Sequence, residues 1–537
     1  MKLYLVRHGE TQNNQQNLLT GWLNSPLTGT GIQQSEILAD KLSSVKFDLI
    51  LSSDLQGAKE TAMIISNKIG ALLLFEPLLR ERGLGKLENQ TKENRDWAQL
   101  NIENEENLTL GIESLASIHE RAKRLMKFVS LVERDKDALA KLLSDETGKP
   151  ISEAIGEIAN VSIGIPAFCE RAKHEYGLVI EPGQEMGNEH TIQYTMQYPL
   201  GVVVAVIPFN FPSDLFCQKV PAALLMGNTV ILKPSAHNPL TLTKYVELLL
   251  EAGIPTGVIN LINGSGGFAV QTLAENPGVN LVTLTGSTIA GAETMAKCAK
   301  NITHVTLELG GNDAFILHKD GDVDLAVKET LWGRLYNTGQ VCCASKRFLI
   351  HKDVKEEFER KLIEAIRKDY VVRMPSNPEA KIGCLISEDA AKRVEEQVLK
   401  TVNEGARVVF GGRRKGAFFE PTILDNVTKD MEVAHDMEIF GPVISIIEYE
   451  DIEEAISIAN QSSYGLCGCI ISKNQKVCQH VANELECGGV IINGASFFRS
   501  FEMPFGGWKH SGIGNEGVMS TLHEMSRTKS IILKNIL

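Results

Sequence analysis

Two short segments of the chain carry residue types that could perform covalent catalysis on a carbonyl group. Residues 339–344 read Gly-Gln-Val-Cys-Cys-Ala, and residues 308–311 read Glu-Leu-Gly-Gly. The thiolate of Cys342 is a candidate nucleophile, and the carboxylate of Glu308 could activate water to hydrolyse an acyl group on the sulfur. Most single buried cysteines only pack, and we assign that role to Cys343.

A third candidate, Asn210, follows a stretch that is predicted to be a buried strand. Residues 201–207 are apolar, and Asn210 comes three residues later in a Pro-Phe-Asn-Phe-Pro turn. Because ligands bind beyond the carboxyl ends of parallel strands, this amide is placed to donate to a substrate oxygen that gains negative charge. The backbone N–H of Cys342 is the second expected donor. As an alternative, Asn210 could cap the helix that follows the turn.

The elements that must position these residues follow an alternating pattern. Apolar runs at 201–207, 229–232, 258–262 and 281–284 are separated by helical stretches, which predicts a parallel sheet covered on both faces. A second alternating region, from 312 to about 492, should carry the nucleophile.

These segments, together with 438–442 and the tail 504–512, resemble the aldehyde dehydrogenase superfamily over about residues 120–537. The succinate-semialdehyde and lactaldehyde types are the most similar. The resemblance implies oxidation of a small aldehyde to its carboxylate, with NAD or NADP as cofactor, through a cysteine thiohemiacetal and thioester. Acyl transfer to coenzyme A is disfavoured, because relatives with that activity generally lack the base at Glu308.

The resemblance also places the cofactor on particular side chains. A Gly-Ser turn that opens a helix offers free N–H groups to a pyrophosphate, although as a lone motif it is weak and could be only a helix cap. NAD-preferring relatives carry a glutamate where Ala236 stands, so both cofactors stay open. The predicted cofactor residues are Lys233, Ser235, Gly286, Ser287, Gly291, Glu438 and Phe440.

The substrate is predicted to be a small polar or acidic aldehyde. Succinate-semialdehyde enzymes usually present an arginine where Gln218 stands, and Gln218 has no charge with which to pair a carboxylate. Arg499, before Pro504, could supply a cation instead, or it could be a solvated loop charge.

The N-terminus has a different character. Residues 7–11, 49–55 and 79–82 resemble the histidine phosphatase superfamily over about residues 1–115, with Arg7, His8 and Glu81 as the matching site residues. Gly57 stands where that family carries a second arginine, and no later strand with His-Gly follows. We therefore predict an inert remnant. The alternatives are a bifunctional dehydrogenase and phosphomonoesterase, and a noncatalytic, poorly folded chimera.

The predicted fold is α/β and has four parts. A partial histidine-phosphatase-like segment (1–115) precedes a doubly wound dinucleotide-binding domain (116–307), a catalytic domain (308–490) and a C-terminal return (491–537). A hairpin at about 176–200 is expected to pair with 529–537 for oligomerisation, as a dimer or tetramer. The joint between the two resemblances lies in a helical stretch at 113–133.

The charge, the apolar runs and the cysteines of the chain bear on its partners, its location and metal binding. The net charge of −13 disfavours nucleic-acid and anionic-membrane partners, and the apolar runs are far shorter than the roughly 20 residues of a membrane helix. The ten cysteines show no CxxC or zinc spacing, so we expect reduced thiols, no metal and a cytoplasmic location.

Overall fold

The structure is a computed structural model that describes residues 6–18, 20, 23–47, 49–75, 118–175 and 177–534. It divides into two compact units, which are described separately. The helices, in chain order, are α1 Gln12–Gln15, α2 Gly29–Leu42, α3 Gln56–Ile69, α4 Ile118–Thr147, α5 Ile151–Ala172, α6 Pro212–Leu225, α7 Leu240–Glu251, α8 Gly266–Ala274, α9 Thr288–Cys298, α10 Val323–Leu335, α11 Lys352–Asp369, α12 Glu388–Asn403, α13 Ile452–Asn460, α14 Gln475–Glu484 and α15 Val518–Glu524.

The strands form six separate sheets among the described residues. In chain order they are β1 Leu49–Ser52, β2 Leu72–Phe75, β3 Val179–Ile180, β4 Thr191–Pro199, β5 Val202–Val206, β6 Thr229–Lys233, β7 Ile259–Leu261, β8 Leu281–Thr285, β9 His304–Glu308, β10 Asp313–Leu317, β11 Ser345–His351, β12 Arg407–Phe410, β13 Arg414–Lys415, β14 Phe418–Phe419, β15 Thr422–Val427, β16 Val443–Tyr449, β17 Tyr464–Gly465, β18 Cys467–Ile471, β19 Gly489–Ile492, β20 Trp508–Lys509, β21 Gly512–Ile513 and β22 Ser526–Lys534.

The first large sheet, in the unit that holds residues 121–175 and 197–527, has the order β21-β9-β8-β5-β6-β7. Strands β5 to β9 are parallel, and β21 joins antiparallel. Their chain order across the sheet is 3-2-1-4-5, so the order reverses between β5 and β8, where a doubly wound sheet opens a crevice for ligands. The central strand is a Val/Ala run that is buried on both faces. The predicted doubly wound fold is confirmed.

The second large sheet, in the same unit, has the order β12-β15-β16-β11-β10-β18-β19. All its pairings are parallel except that of β12 with β15. One apolar cluster packs around Phe315 and Phe348, and another around Leu349 and Ile470. Because neighbouring residues on a strand face opposite sides, these clusters cover the two faces of the sheet.

A three-stranded sheet has the order β22-β4-β3, so the C-terminal strand pairs with the hairpin as predicted. The helical stretch predicted at 113–133 is the described start of α4, which continues to Thr147. Residues 113–117 lie outside the described part.

In the N-terminal unit, β1 and β2 pair in parallel, and α2 packs against α3. Helix α3 ends at Gly70, which has a φ of 73° and so adopts the left-handed conformation that glycine accepts without strain. The apolar start of the segment 49–55, which carries part of the histidine phosphatase resemblance, forms β1. The apolar run at residues 3–6 falls almost wholly outside the described residues.

Candidate active site

Cys342 lies in a tight loop between α10 and β11. The loop begins with a short 3-10 turn, Tyr336–Gly339, in which Asn337 and Thr338 have φ of 51° and 54°. Left-handed backbone at such residues costs roughly 1–3 kcal/mol each and persists only where surrounding contacts impose it. Here the N–H of Asn337 donates to Glu153 (2.7 Å), and the Thr338 hydroxyl accepts from the N–H of Gly383 (3.0 Å). These bonds fix the loop that leads to the thiol.

Glu308 is the last residue of β9 and lies beside Thr285 of β8. It is 4% exposed, and within the described residues neither of its carboxylate oxygens has a hydrogen-bond partner. The glycines that follow bring the two chemical segments together. A Cβ on Gly311 would lie 3.0 Å from the carbonyl oxygen of Cys342, so the close approach of the segments requires glycine.

Burial and neighbouring charge act on both groups. Burial raises the pKa of Glu308 well above its usual value, and the Cys342 thiol and Glu516 raise it further. A hydrogen bond with Cys343 and then burial raise the pKa of the Cys342 thiol well above its usual value. Without substrate or cofactor, both shifts favour the protonated form of the group concerned. The thiol is near enough to affect the carboxyl even though no well-formed hydrogen bond joins them.

Asn210 reaches the nucleophile loop from the other large sheet. It lies in the turn between β5 and α6, and its side-chain amide donates to the carbonyl of Gln340 at 3.1 Å. An amide nitrogen carries two N–H donors, so one remains for a ligand. The carbonyl of Asn210 accepts from the side-chain amide of Asn337 at 3.0 Å. The structure therefore brings together the three predicted catalytic residues, whose roles remain predictions.

Sequence reasoning missed a buried ion pair that contacts the main chain of Asn210. Lys149 and Glu157 are both fully buried and pair with each other. The ammonium of Lys149 also donates to the carbonyl of Asn210 at 2.9 Å and lies 4.0 Å from the ring centroid of Phe211. The signal that was available is a lysine between an apolar helix and a proline, which is weak without the fold.

A second missed pair lies near Glu308. Lys219 pairs with Glu516 at 2.7 Å, and Arg499 pairs with the same carboxylate at 2.9 Å. Glu516 is close enough to Glu308 to raise its pKa. The amide oxygen of Gln218 accepts from the N–H of Gly517 at 3.2 Å, and Gln218 is buried. Of the two predicted substrate residues, Arg499 is thus near Glu308, and Gln218 is engaged by the backbone of the C-terminal tail.

The predicted phosphate-binding turn lies at the carboxyl end of β8, on one side of the crevice. Ser287 caps α9 by accepting from the N–H of Ala290, and the N–H of Gly286 donates to the carbonyl of Glu308 at 3.0 Å. Gly291 allows α9 to approach the sheet, since a Cβ there would lie 2.5 Å from Leu309. The hydroxyl of Thr285, at this strand end, is buried without a partner among the described residues.

On the next strand, the ammonium of Lys233 is buried and donates to the carbonyl of Pro234 at 2.7 Å. Burial lowers its pKa. The hydroxyl of Ser235 accepts from the N–H of His237 at 3.1 Å. Lys233 is the last residue of β6, which pairs with the central strand β5, and Ser235 follows two residues later.

Glu438 and Phe440 lie beside the catalytic segments. The Glu438 carboxylate pairs with Lys346 at 3.2 Å and accepts from the N–H of Gly311. Lys346 also donates to the carbonyl of Cys342, so its ammonium joins the nucleophile loop to Glu438. The Phe440 ring meets Phe209 edge-on, with 6.0 Å between centroids. Sequence reasoning missed Lys346, four residues after the nucleophile.

The N-terminal unit holds Arg7 and His8, with His8 Nδ1 2.8 Å from the carbonyl of Gly9. Gly57, in α3, packs tightly, because a Cβ there would lie 2.5 Å from the Thr11 methyl. Glu81 falls outside the described residues.

Two expectations concern metals and membranes. All ten cysteines are free thiols, and the described residues contain no group of three His, Cys, Asp or Glu side chains that could hold a metal ion. Within the same residues, no helix is long and apolar enough to cross a bilayer.

A doubly wound sheet beside a second α/β sheet that presents a thiol loop is the architecture of a nucleotide-dependent oxidoreductase. Residues 111–531 match the model of the aldehyde dehydrogenase family, and the chain belongs to that family. Residues 3–141 match the histidine phosphatase superfamily (branch 1), which supports the fused segment and extends beyond the predicted limit at 115. The two matches overlap within residues 111–141.

Comparison with individual aldehyde dehydrogenases supports this family assignment. The chain is 38% identical over 417 residues to the 3-sulfolactaldehyde dehydrogenase of Priestia aryabhattai, covering 78% of this chain and 87% of that protein. It is 37% identical over 421 residues to the lactaldehyde dehydrogenase of Methanococcus maripaludis, covering 78% and 88%. A solved NADP-dependent enzyme of E. coli superposes with a TM-score of 0.75 at 35% identity, covering 78% of this chain and 86% of that one.

Proposed function

We propose that the protein oxidises a small, hydroxylated or anionic aldehyde to its carboxylate with NAD or NADP. Cys342 is the nucleophile, Glu308 the base, and Asn210 the side-chain donor to the substrate oxygen. The observation that carries the proposal is the partnerless, buried Glu308 carboxyl beside Cys342, because a group so costly to bury serves best where it must accept a proton.

The residues divide the reaction into two steps. The Cys342 sulfur attacks the aldehyde carbon, and the thiol proton passes to the aldehyde oxygen to give a thiohemiacetal. While negative charge develops on that oxygen, it accepts hydrogen bonds from Asn210 and the backbone N–H of Cys342. A bound nicotinamide would supply the hydride acceptor, so that loss of the carbon-bound hydrogen as hydride and of the hydroxyl proton would leave a thioester on Cys342. Glu308 then takes a proton from water, the water oxygen attacks the thioester carbon, and the C–S bond breaks to release the carboxylate and the thiol.

The residues at the crevice fit a dinucleotide. The start of α9 offers main-chain N–H groups next to the reversal in strand order, where a pyrophosphate is stabilised. The partnerless Thr285 hydroxyl lies at the same strand end. Lys233 would hold ribose oxygens or a 2'-phosphate, and Glu438 and Phe440 would hold the nicotinamide ribose and ring. With Ala236 in place of an acid, nothing at that position repels NADP.

The substrate class follows from charge near Glu308 and from the relatives. Arg499 and Lys219 together place two cations around one carboxylate, Glu516, so the cluster keeps positive charge for an anionic substituent. Two relatives are named for lactaldehyde and 3-sulfolactaldehyde. We assign Arg499 as the residue that pairs with the anionic substituent of the substrate. Gln218 would make at most a polar contact with the substrate.

The proposed function is tested with a panel of aldehydes and each cofactor, following the absorbance of the reduced nicotinamide. Wild type should turn over, and Glu308→Gln should release a single burst of reduced cofactor per active site and then stop, because acylation proceeds while hydrolysis fails. Steady-state loss should be on the order of 10²–10⁴-fold. No reduction of either cofactor with any aldehyde, or full turnover in Glu308→Gln, would refute the assignment.

A further inference from the structure

Arg334 is a buried cation for which the proposed chemistry has no use. It lies in α10 and is fully buried. Among the described residues, its guanidinium donates only to main-chain carbonyls, those of Val443 at 2.6 Å, Ile439 at 2.8 Å and Gly339 at 3.3 Å. Desolvating an arginine in order to bind carbonyl groups alone is costly, so the placement of those carbonyls calls for an explanation.

The three carbonyls belong to two segments that are far apart in sequence. Gly339 is in the nucleophile loop, three residues before Cys342. Ile439 lies between Glu438 and Phe440, and Val443 begins β16. The two segments touch directly, since a Cβ on Gly339 would lie 2.3 Å from the carbonyl oxygen of Gly441. The planar guanidinium therefore joins the backbone that carries the thiol to the backbone that carries the predicted nicotinamide contacts.

The nucleophile loop has other supports, and the second segment has fewer. Asn337, Thr338 and Gln340 are bonded to Glu153, Gly383 and Ile386. By contrast, the main chain from 438 to 441 gains side-chain hydrogen bonds from Arg334 and from Gln397, which donates to the carbonyl of Glu438 at 2.9 Å. Loss of Arg334 should therefore loosen residues 438–441 more than it loosens Cys342.

We propose that Arg334 is a positioning residue that holds the 438–441 segment in register with the Cys342 loop, so that the substrate carbon faces the nicotinamide for hydride transfer. This inference rests on the proposed function. It predicts a selective defect in which the thiol still forms acyl-enzyme from an ester, which needs no hydride transfer, while oxidation of an aldehyde is slow.

Arg347 is a matched control within the same unit. It is also buried and also donates only to carbonyl groups, those of Asn312, Ala434, Ile458 and Ala459. It makes no bond to Gly339 or Ile439 among these contacts. Removing either guanidinium leaves several carbonyls unsatisfied, so the structural cost should be similar and only the position differs.

The experiment compares Arg334→Met, Arg334→Lys and Arg347→Met in the full chain. Three quantities are measured: the melting temperature, the hydrolysis of p-nitrophenyl acetate, and aldehyde oxidation with normal aldehyde and with aldehyde deuterated at the carbonyl carbon. Arg334→Met should lose about 10²-fold in kcat for oxidation, show a larger deuterium isotope effect than wild type, and keep ester hydrolysis within about threefold. Arg334→Lys should recover part of the loss. Arg347→Met should lower ester hydrolysis and aldehyde oxidation by the same factor.

The ratio of ester hydrolysis to aldehyde oxidation and the isotope effect together decide whether Arg334 has a positioning role. Equal losses of ester hydrolysis and oxidation in Arg334→Met, with an unchanged isotope effect, would make Arg334 purely structural and overturn the proposal. If Arg334→Met does not fold, the same comparison is made with Arg334→Lys, where an unchanged isotope effect has the same meaning. Failure of the proposed function itself would be recognised separately, as ester hydrolysis that persists in Cys342→Ala or as no cofactor reduction by wild type.

Discussion

The N-terminal histidine-phosphatase-like segment and the dehydrogenase part of the chain each hold a recognisable chemical residue, but among the described residues the two have different surroundings. Glu308 acts on the Cys342 thiol, Lys346 donates to the carbonyl of Cys342, and Asn210 donates to the carbonyl of Gln340 in the same loop. His8 bonds the carbonyl of its neighbour Gly9, and Gly57 takes the place of the family's second arginine.

The contrast supports our prediction that the N-terminal motif is an inert remnant. Within the described N-terminal residues, glycine at position 57 removes one cation that would stabilise a phosphate in the histidine phosphatase family. In the dehydrogenase part, by contrast, the candidate groups come together from several elements. We therefore propose chemistry for the dehydrogenase part and predict none for the N-terminal segment.

The largest effect should come from the removal of Cys342, and removal of His8 in the N-terminal segment should have none. Cys342→Ala should lower aldehyde oxidation by on the order of 10³-fold or more, since the proposed thioester forms on its sulfur and the neighbouring Cys343 is assigned to packing. His8→Ala should leave aldehyde oxidation unchanged. Phosphate release from p-nitrophenyl phosphate should be at background in the wild type and in His8→Ala. Phosphate release that depends on His8 would instead establish the bifunctional alternative.

The next largest effect should come from Asn210→Ala. Loss of one donor to a developing oxyanion typically costs about 10²–10³-fold in kcat, and the lost bond to Gln340 also loosens the loop. Steady-state kinetics would show the loss mainly in kcat, with little change in the KM for aldehyde. The alternative role as a helix cap is wrong, because Phe211 is the N-cap of α6 and no side chain caps it. A change in KM alone would therefore reduce Asn210 to a support of the nucleophile loop through its bond to Gln340.

A smaller, graded effect is expected from pH. Burial raises the pKa of Glu308 well above its usual value, so the ionised fraction of the carboxyl, which can act as a base, increases as pH rises. Deacylation, followed in acyl-enzyme prepared from an ester, should therefore accelerate with pH, by up to about tenfold per unit below that pKa. Glu308→Gln should remove the dependence. A rate that falls with rising pH would contradict the sign.

The smallest effect concerns the packing of the N-terminal segment. Gly57→Ala should weaken it by about 1–3 kcal/mol, because the new Cβ must displace the Thr11 methyl. Gly29→Ala is the matched control, since its Cβ meets nothing within 4 Å. Hydrogen exchange across residues 6–75 in the two variants measures the difference. Gly57→Arg should restore no phosphatase activity, and the appearance of such activity would show that only that arginine was missing.

Sequence reasoning worked best where a pattern is local. The strands predicted at 229–232 and 281–284 agree with β6 and β8 to within one residue, because buried parallel strands read as short apolar runs. The order of motifs along the chain was enough to indicate the family, which the match over residues 111–531 shows. Sequence reasoning placed the end of the phosphatase-like resemblance at 115, whereas the match continues to 141, because the helix that joins the segments suits both patterns.

Sequence reasoning did not predict the buried ion pairs. Glu157 lies about two helical turns and a short loop after its partner Lys149, and Glu516 lies almost 300 positions after its partner Lys219. A lone lysine or glutamate is usually a solvated charge, so neither residue type signals burial by itself. The fold decides which charges lose water and therefore need each other.

The amino-acid sequence by itself determined which groups are available, a thiol, a carboxyl and an amide each at the end of a predictable element, and so the class of chemistry. The tertiary structure alone decided that Gly311 lies against the carbonyl of Cys342, that Glu308 is buried without a partner, and that Arg334 bridges Gly339 and Ile439. The physical reason is that reactivity depends on distance and dielectric, which are set by contacts between segments that are not neighbours in the sequence.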